Sequence, residues 1–337
     1  PWLEPELRRQ FAYRHRVTRR DLALHRRYAP DGRSLTVAVS GTSGLVGSQL
    51  VPFLTTGGHT VRRLVRRGPT AEDEILWDPR RGRVEAAKLE GVDAVVHLAA
   101  ESVFGLWTEA KKRRIHDSRA DGTHLLAEAL AGLDDPPEAF VSASAVGYYG
   151  DRGADVVTED TPRGDGFLAD VCRAWEAATA PAAAAGIRTV PARIGVVLSP
   201  AGGALQLQWP LFWAGLGARI GPPDQYVPWI ALDDVLGGLY HLLRSEMEGP
   251  VNLTAPEPAP MDRYAETLAD VLDRSARLRV PAAVLRGLLG EMAEEMALKS
   301  ARVVPERLAG DGYRFGYPDL GAALRHVLGR AEGGTEM

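Results

Sequence analysis

A glycine cluster placed directly after a short apolar run constrains this chain more than any other segment. Leu35-Thr36-Val37-Ala38-Val39 reads as a buried strand, and Gly41-Thr42-Ser43-Gly44-Leu45-Val46-Gly47 follows it. A helical stretch runs on from Gly44 to about Thr56. A G-x-x-G-x-x-G turn between a strand and a helix is the setting in which such a turn binds a dinucleotide. One glycine permits the tight turn, one lets backbone approach a pyrophosphate, and one packs helix against strand. The phosphates then meet free N–H groups at a helix N-terminus. Gly41, Thr42, Gly44, Leu45, Val46 and Gly47 are therefore the candidate phosphate-binding residues.

From Ser34 onward strand and helix patterns alternate. Strands are predicted at Leu35–Val39, Val61–Val65, Glu74–Trp77, Ala94–Leu98, Ala139–Ala143 and Arg188–Ala192. Long helices are predicted from about Thr108 to Ala131 and from Phe167 to Ala185. Alternation of this kind implies βαβ units and a parallel sheet covered on both faces. The fold class is α/β, a doubly wound parallel Rossmann sheet. After about residue 195 proline, glycine and tryptophan become frequent. Helices are expected there at Asp233–Leu243, Met261–Leu272, Pro281–Leu298 and Leu320–Leu328, with a short strand at Pro250–Leu253. The expected organisation is a basic arm over 1–33, a cofactor-binding domain over 34–195, and a smaller, mainly helical C-terminal substrate lobe over 196–337 that returns some strands to the sheet.

Composition narrows the function classes. The 337 residues are 45% hydrophobic and 25% charged, values of an ordinary globular protein. A net charge of −4 gives no global field for nucleic acid. No apolar run reaches the length of a membrane span. The single cysteine, Cys172, excludes an internal disulfide and fits a reducing cytoplasm. The arm carries Arg8, Arg9, Arg14, Arg16, Arg19, Arg20, Arg26 and Arg27. Thr18 and Asp21 resemble a capping box for a short helix ending at Tyr28. The arm lacks the interleaved aromatics of a nucleic-acid platform, so it reads as a linker helix that packs on the domain or joins it to a missing N-terminal one. The chain begins at Pro1, which fits a piece of something longer. No histidine pair has metal-ligand spacing and no G-x-S-x-G elbow occurs, so neither a metal centre nor a hydrolase is expected.

The end of the second strand selects the nicotinamide cofactor. A carboxylate there binds a ribose 2′-hydroxyl, whereas arginine accommodates a 2′-phosphate. This strand ends in Val65-Arg66-Arg67 with no carboxylate. Guanidinium pairs with phosphate bidentately, so NADP(H) is expected over NAD(H).

Further segments narrow the reading: Val95-Val96-His97-Leu98-Ala99-Ala100, Ser142-Ala143-Ser144-Ala145-Val146-Gly147-Tyr148-Tyr149-Gly150, Arg193-Ile194-Gly195-Val196-Val197-Leu198, Trp229-Ile230 before Asp233-Asp234, and Pro305-Glu306-Arg307-Leu308. Over about residues 35 to 330 the chain resembles the epimerase-like family of atypical, extended short-chain dehydrogenases/reductases. That resemblance implies an NADP-binding Rossmann domain with a small C-terminal lobe, and places Leu98, Ala99 and Ala100 beside the cofactor. It implies a small polar or carbonyl-bearing substrate, with nucleotide sugars among the candidates.

Typical members of that superfamily move a proton with Ser, Tyr and Lys, the last two at i and i+4 on one helix face. Ser144 matches the serine. The Tyr-Lys pair is absent: its positions fall at Leu168 and Cys172, or one residue to either side. Tyr148 or Tyr149 can supply a phenol, with Arg119 or Arg193 acting on it electrostatically. Cys172 and Asp170 are the other candidates for the missing base. Ser144 with Tyr148 is the catalytic pair favoured here. Arg119 and Lys112 share a helix face suited to an anionic substrate, and Trp229 is a candidate for an apolar substrate wall. The missing pair also keeps a second reading open, a regulatory protein that holds NADP without turning it over.

Overall fold

The computed structural model describes residues 3–29 and 31–331. In chain order the strands are β1 (Thr36–Ser40), β2 (Thr60–Val65), β3 (Glu74–Asp78), β4 (Arg83–Val84), β5 (Ala94–His97), β6 (Ala139–Ala145), β7 (Val156–Val157), β8 (Arg188–Ile194), β9 (Val196–Leu198), β10 (Ala218–Ile220), β11 (Tyr226–Val227), β12 (Trp229–Ala231), β13 (Val251–Leu253), β14 (Ala259–Pro260), β15 (Leu278–Val280) and β16 (Arg302–Val303). The helices are α1 (Leu3–Tyr28), α2 (Gly47–Thr56), α3 (Glu109–Ala131), α4 (Phe167–Ala177), α5 (Ala180–Ala184), α6 (Gly203–Trp213), α7 (Leu232–Arg244), α8 (Met261–Val271), α9 (Ala282–Leu289), α10 (Glu291–Ala297), α11 (Glu306–Gly310) and α12 (Leu320–Val327).

Eight strands form one sheet in the order β13-β8-β6-β5-β1-β2-β3-β4. All neighbours are parallel except β3 and β4. The six strands read from the sequence occupy the doubly wound order, and strand order reverses between β1 and β5. Ligands of such sheets bind outside the carboxyl ends of the strands at that reversal. The central strands β1, β5 and β6 are buried on both faces, alternate side chains entering opposite layers. In β1, Val37 and Val39 pack toward α2 and α7, whereas Ala38 faces the layer holding Leu126 and Leu130 of α3. A separate core joins α6, α8 and α12 around Trp229, Phe212 and Leu268.

Several boundaries differ from the sequence reading. The arm is helical from Leu3, not from Thr18. Thr18 and Asp21 sit inside a run of good helix formers, and Pro5 lies in the first turn where its missing N–H is harmless. The stretch from Phe167 to Ala185 is two helices, because Pro181 has no N–H for the ladder and disfavours helix just before it. The stretch from Pro281 to Leu298 breaks at Gly290, which takes φ 57°. Helix α2 starts at Gly47 rather than Gly44, since the glycine loop occupies the residues between. Beyond residue 195, α7 and β13 rejoin the main sheet layer. Among the described residues no helix is long and apolar enough to cross a membrane.

Helix α1 docks on α2 and α7 through a buried histidine cluster. The His25 ring lies 4.6 Å from Phe53 and 4.8 Å from Tyr240. Beside it, the Leu35 N–H donates to His59 Nδ1 at 3.0 Å, so the proton of the neutral ring is on Nε2, which faces the Tyr240 hydroxyl at 2.9 Å. Burial and the nearby Arg244 charge push His59 down to about 4. A histidine with a lowered folded pKa stabilises the fold fully above its unfolded value of about 6.5, and that contribution drains away as pH falls toward 4. Thermal melts from pH 7.5 downward should therefore show Tm falling below about pH 6.5. His59→Asn, which keeps an acceptor for Leu35 without titrating, should flatten that fall.

Candidate functional site

Gly41, just past the end of β1, takes φ 71°. A Cβ there would lie 2.8 Å from Ala99 N and from Leu98 C, so only glycine fits against the end of β5. A Cβ at Gly47 would lie 2.3 Å from Gly41 O. The first and third glycines thus make the close turn and the close packing that the motif demands. At Gly44 a Cβ would meet only Gly41 O, at 3.2 Å, and its remaining face is open. Helix α2 begins without a side-chain cap; the amides of Ser48, Gln49 and Leu50 are taken by Gly44 O and Val46 O, which leaves those of Leu45, Val46 and Gly47 for a ligand. Behind the turn, Ser40 Oγ holds His97 Nδ1 at 2.7 Å and accepts from the amides of Leu98 (3.0 Å) and Ala99 (3.2 Å). This buried serine ties the two strand ends at the reversal point. Complete burial pushes His97 down to about 3, so its ring is neutral. Leu98 and Ala99 are half-buried and Ala100 is exposed.

A cavity of about 420 Å³ opens beside the glycine loop. Ser43 to Leu45, the loop Leu198–Gly202, Asp233 of α7 and Tyr13 of α1 line it. Gly202 packs so close to Leu45 that a Cβ would sit 3.0 Å from Leu45 Cδ1. In the middle of β2, Arg63 is paired with Asp73 (2.6 and 2.9 Å) and Arg62 donates to Lys88 O. Arg66 and Arg67 are exposed, and among the described residues no carboxylate is paired with either.

The corner expected to carry catalysis is built differently from its sequence reading. Ser144 is 3% exposed and donates its hydroxyl to Glu176 Oε1 at 2.6 Å. Glu176 in turn receives Arg193 Nε and Nη2, each at 2.8 Å. Arg193 Nη1 donates to the Tyr149 hydroxyl at 2.9 Å, and that hydroxyl donates to Asn252 Oδ1 at 2.7 Å. Tyr149 is wholly buried and burial pushes it up to about 12, so it is no candidate for proton transfer. Ser144 and Arg193 are likewise spent in this network, because a buried charge is kept only when paired. Burial, with the Glu176 charge, also pushes the Cys172 thiol up to about 12, and Cys172 is inert packing beside Gly147 and Leu168. Asp170 is exposed and paired with Arg163. Tyr148 differs: it is half-buried, and its ring lies face-on to the Arg193 guanidinium, 3.6 Å from the centroid.

The substrate-site candidates fare unevenly. Trp229 is fully buried in the C-terminal core, with Nε1 donating to Glu257 O, so it forms no substrate wall. Its place on β12, paired with β9, turns the ring inward. Lys112 reaches Glu291 of α10 at 3.0 and 3.1 Å. Arg119 lies over Trp175 and donates to the carbonyls of Glu101 and Ile115. Sequence reasoning missed Glu176, although an arginine inside the apolar strand β8 signals a buried acidic partner. It also missed Tyr13 and Leu198–Gly202.

Residues 37–252 match the NAD-dependent epimerase/dehydratase family. This chain belongs to that family. Residues 280–327 match a domain of unknown function, so the family's sheet is followed here by a distinct helical segment. An epimerase family protein of Mycobacterium bovis is 40% identical over 296 residues, covering 87% of this chain and 98% of that one. The human epimerase family protein SDR39U1 is 35% identical over 299 residues, covering 87% of this chain and all of its own. Among solved structures, that human protein with NADPH aligns with TM-score 0.79 at 33% identity, covering 87% of this chain and 99% of its own. A nucleoside-diphosphate sugar epimerase of Corynebacterium glutamicum aligns with TM-score 0.80 at 37% identity over 95% of this chain, which spans 64% of that protein's length. The family explains the Rossmann order and the glycine turn, and the rebuilt corner departs from the superfamily's Ser-Tyr-Lys pattern.

Proposed function

We propose that the chain is an NADP(H)-dependent oxidoreductase of the epimerase type, acting on a small carbonyl- or hydroxyl-bearing substrate. The observation that carries this reading is the arginine-ended β2 beside the glycine cradle. The NADPH held by the human relative supports it. Bound NADP(H) supplies a hydride donor or acceptor at its nicotinamide. The glycine loop Gly41–Gly47, through the amides of Leu45, Val46 and Gly47 at the entry to α2, holds the pyrophosphate, and Arg66 and Arg67 hold the 2′-phosphate. Leu98 and Ala99 floor the site. Tyr148 is the proton carrier, since Ser144, Tyr149, Cys172 and Asp170 are buried or otherwise engaged. Arg193 fixes the plane of its ring.

NADPH fluorescence titration tests the cofactor assignment. Changing both Arg66 and Arg67 to alanine should weaken NADPH by about tenfold or more, the worth of a charge-assisted phosphate contact, and leave NADH unchanged. Equal weakening of both would remove the 2′-phosphate role. A panel of aldehydes, ketones and nucleotide sugars with NADPH tests the chemistry, and Tyr148→Phe should abolish any turnover found. One observation favours the second reading, a protein that binds NADP(H) without turnover: the Tyr-Lys positions carry Leu168 and Cys172, packed against Gly147. Tight NADPH binding with no consumption across the panel would select it.

A further inference from the structure

We infer that the arginine-rich helix α1 is part of the cofactor site. Tyr13 walls the cavity beside the glycine loop, and Arg20 offsets acidic charge that would otherwise repel the pyrophosphate. The inference rests on the cofactor reading above. It adds to that reading an element that ends before residue 37, where the family match begins. Tyr13 lines the cavity together with Ser43, Gly44 and Leu45 of the loop. Its ring stacks on His326 of α12 at 5.1 Å, and His326 stacks on Tyr317 at 4.1 Å. Burial, with the Asp233 charge, pushes the Tyr13 phenol above its usual range, so the ring presents a neutral hydroxyl. Tyr13, Arg16, Arg20 and Leu24 recur at intervals of three and four and share one helix face. Leu24 is buried in the main core, so the far end of α1 fixes where Tyr13 stands.

Three carboxylates gather against this face. Asp233 lines the cavity, Asp234 is buried beside it, and Asp21 belongs to α1 itself. Burial works against charge on Asp233, yet His326 Nε2 at 3.1 Å and the Arg20 charge keep its carboxyl below the usual range. Burial and the Asp233 charge push Asp21 up to about 6, so Asp233 and Asp21 are both ionised at pH 7.5. Arg20 is the cation set among them. Its Nη2 donates to Asp234 Oδ1 at 2.5 Å, its Nη1 lies 3.5 Å from Asp233 Oδ1, and its charge acts on Asp21. The guanidinium lies over the Tyr317 ring, 5.3 Å from the centroid, and a Cβ at Gly316 would fall 2.5 Å from Nε. Arg16, with Nε and Nη2 buried and without a hydrogen-bond partner, adds a second positive charge within reach of Tyr13.

A carboxylate in the cavity beside a phosphate-binding loop repels the anion that the loop attracts, and low-dielectric walls strengthen the repulsion. Arg20 removes that field where Asp233 faces the loop. With α1 undocked, Asp233 would meet the glycine loop without this cation, and the wall that Tyr13 closes would open to water. Docking of α1 and capture of the cofactor are therefore linked, each strengthening the other by the same factor. Tyr13 and Arg20 are positioning residues in this scheme: one shapes the cavity and the other sets its charge.

NADPH fluorescence titration of the full chain provides the test, each variant being checked first for a cooperative thermal melt. Arg20→Gln should weaken NADPH by about tenfold or more. Raising NaCl from about 0.02 to about 0.5 M should narrow the gap to the parent, because salt screens the exposed carboxylates. Adding Asp233→Asn to Arg20→Gln should recover most of the affinity. A merely structural role for α1 would give neither the salt dependence nor the rescue. Tyr13→Ala should weaken NADPH by about threefold or more, and Tyr13→Phe, which keeps the wall, should bind as the parent does. If Arg20→Gln does not fold, the Tyr13 pair decides by itself. Parent-like affinity in Tyr13→Ala and Arg20→Gln would overturn the inference. So would an Arg20→Gln loss that ignores both salt and Asp233→Asn. Failure of the unmodified chain to bind NADPH would overturn the cofactor reading and this inference with it.

Discussion

Glu176→Ala should destabilise the fold by about 3–5 kcal/mol, the cost of leaving a buried charge without its partner. Arg193 is 3% exposed, and Glu176 takes two of its N–H groups at 2.8 Å. Removing the carboxylate also orphans the Ser144 hydroxyl, which has given Glu176 its only proton. The remaining Arg193 bonds, to Tyr149 and the Glu159 carbonyl, carry no charge. Urea melts should show a lower midpoint with an unchanged slope. Glu176→Ala combined with Arg193→Met should recover much of the loss, because an apolar replacement of the whole pair is often close to neutral. A single variant as stable as the parent would mean that water reaches the guanidinium and the network is not sealed.

Gly47→Ala should have the second large effect. A Cβ at that position falls 2.3 Å from Gly41 O and 2.8 Å from Gly41 C, backbone atoms that have no room to yield. Either α2 slides away from the turn or the turn opens, at a cost of about 1–3 kcal/mol. The cradle moves in both cases, so NADPH affinity should fall by more than the stability change alone explains. Gly58→Ala is the control for added bulk: its φ of 82° carries conformational strain, but nothing lies within 4 Å and it is far from the cradle. If Gly47→Ala binds NADPH as well as the parent, the third glycine of the turn is not setting the cradle.

Much of the sheet was legible because its signals are local. Buried parallel strands are short apolar runs, and the turn needs glycine for reasons confined to a few neighbouring atoms. The arm was harder. Apolar residues are sparse in α1, and its helix is held by His25, Leu24 and Arg20 docking on elements far along the chain. The surroundings of the expected catalytic corner were hidden for a similar reason. Ser144 matches the superfamily's serine by motif, but the partner of its hydroxyl is 32 residues away on α4, and only the packing of α4 on β6 reveals it. Tyr148 and Tyr149 are neighbours in sequence with opposite fates, because one step along the chain turns the ring from the rim to the core. Trp229 belongs to an aromatic-rich segment whose inward face is set by the pairing of β12 with β9.

Asp234, in the first turn of α7, is 1% exposed. It receives Arg20 at 2.5 Å from near one end of the chain, and the amides of Gly316 and Tyr317 at 2.8 and 2.9 Å from near the other. The two outlying segments, 214 and 83 residues away from it, thus share one carboxylate. Closing such long loops is slow, so both segments should dock late in folding, after the central sheet has formed. Native-state hydrogen exchange should then find α1 and the 313–327 segment opening together, as one cooperative unit less protected than β1 and β6.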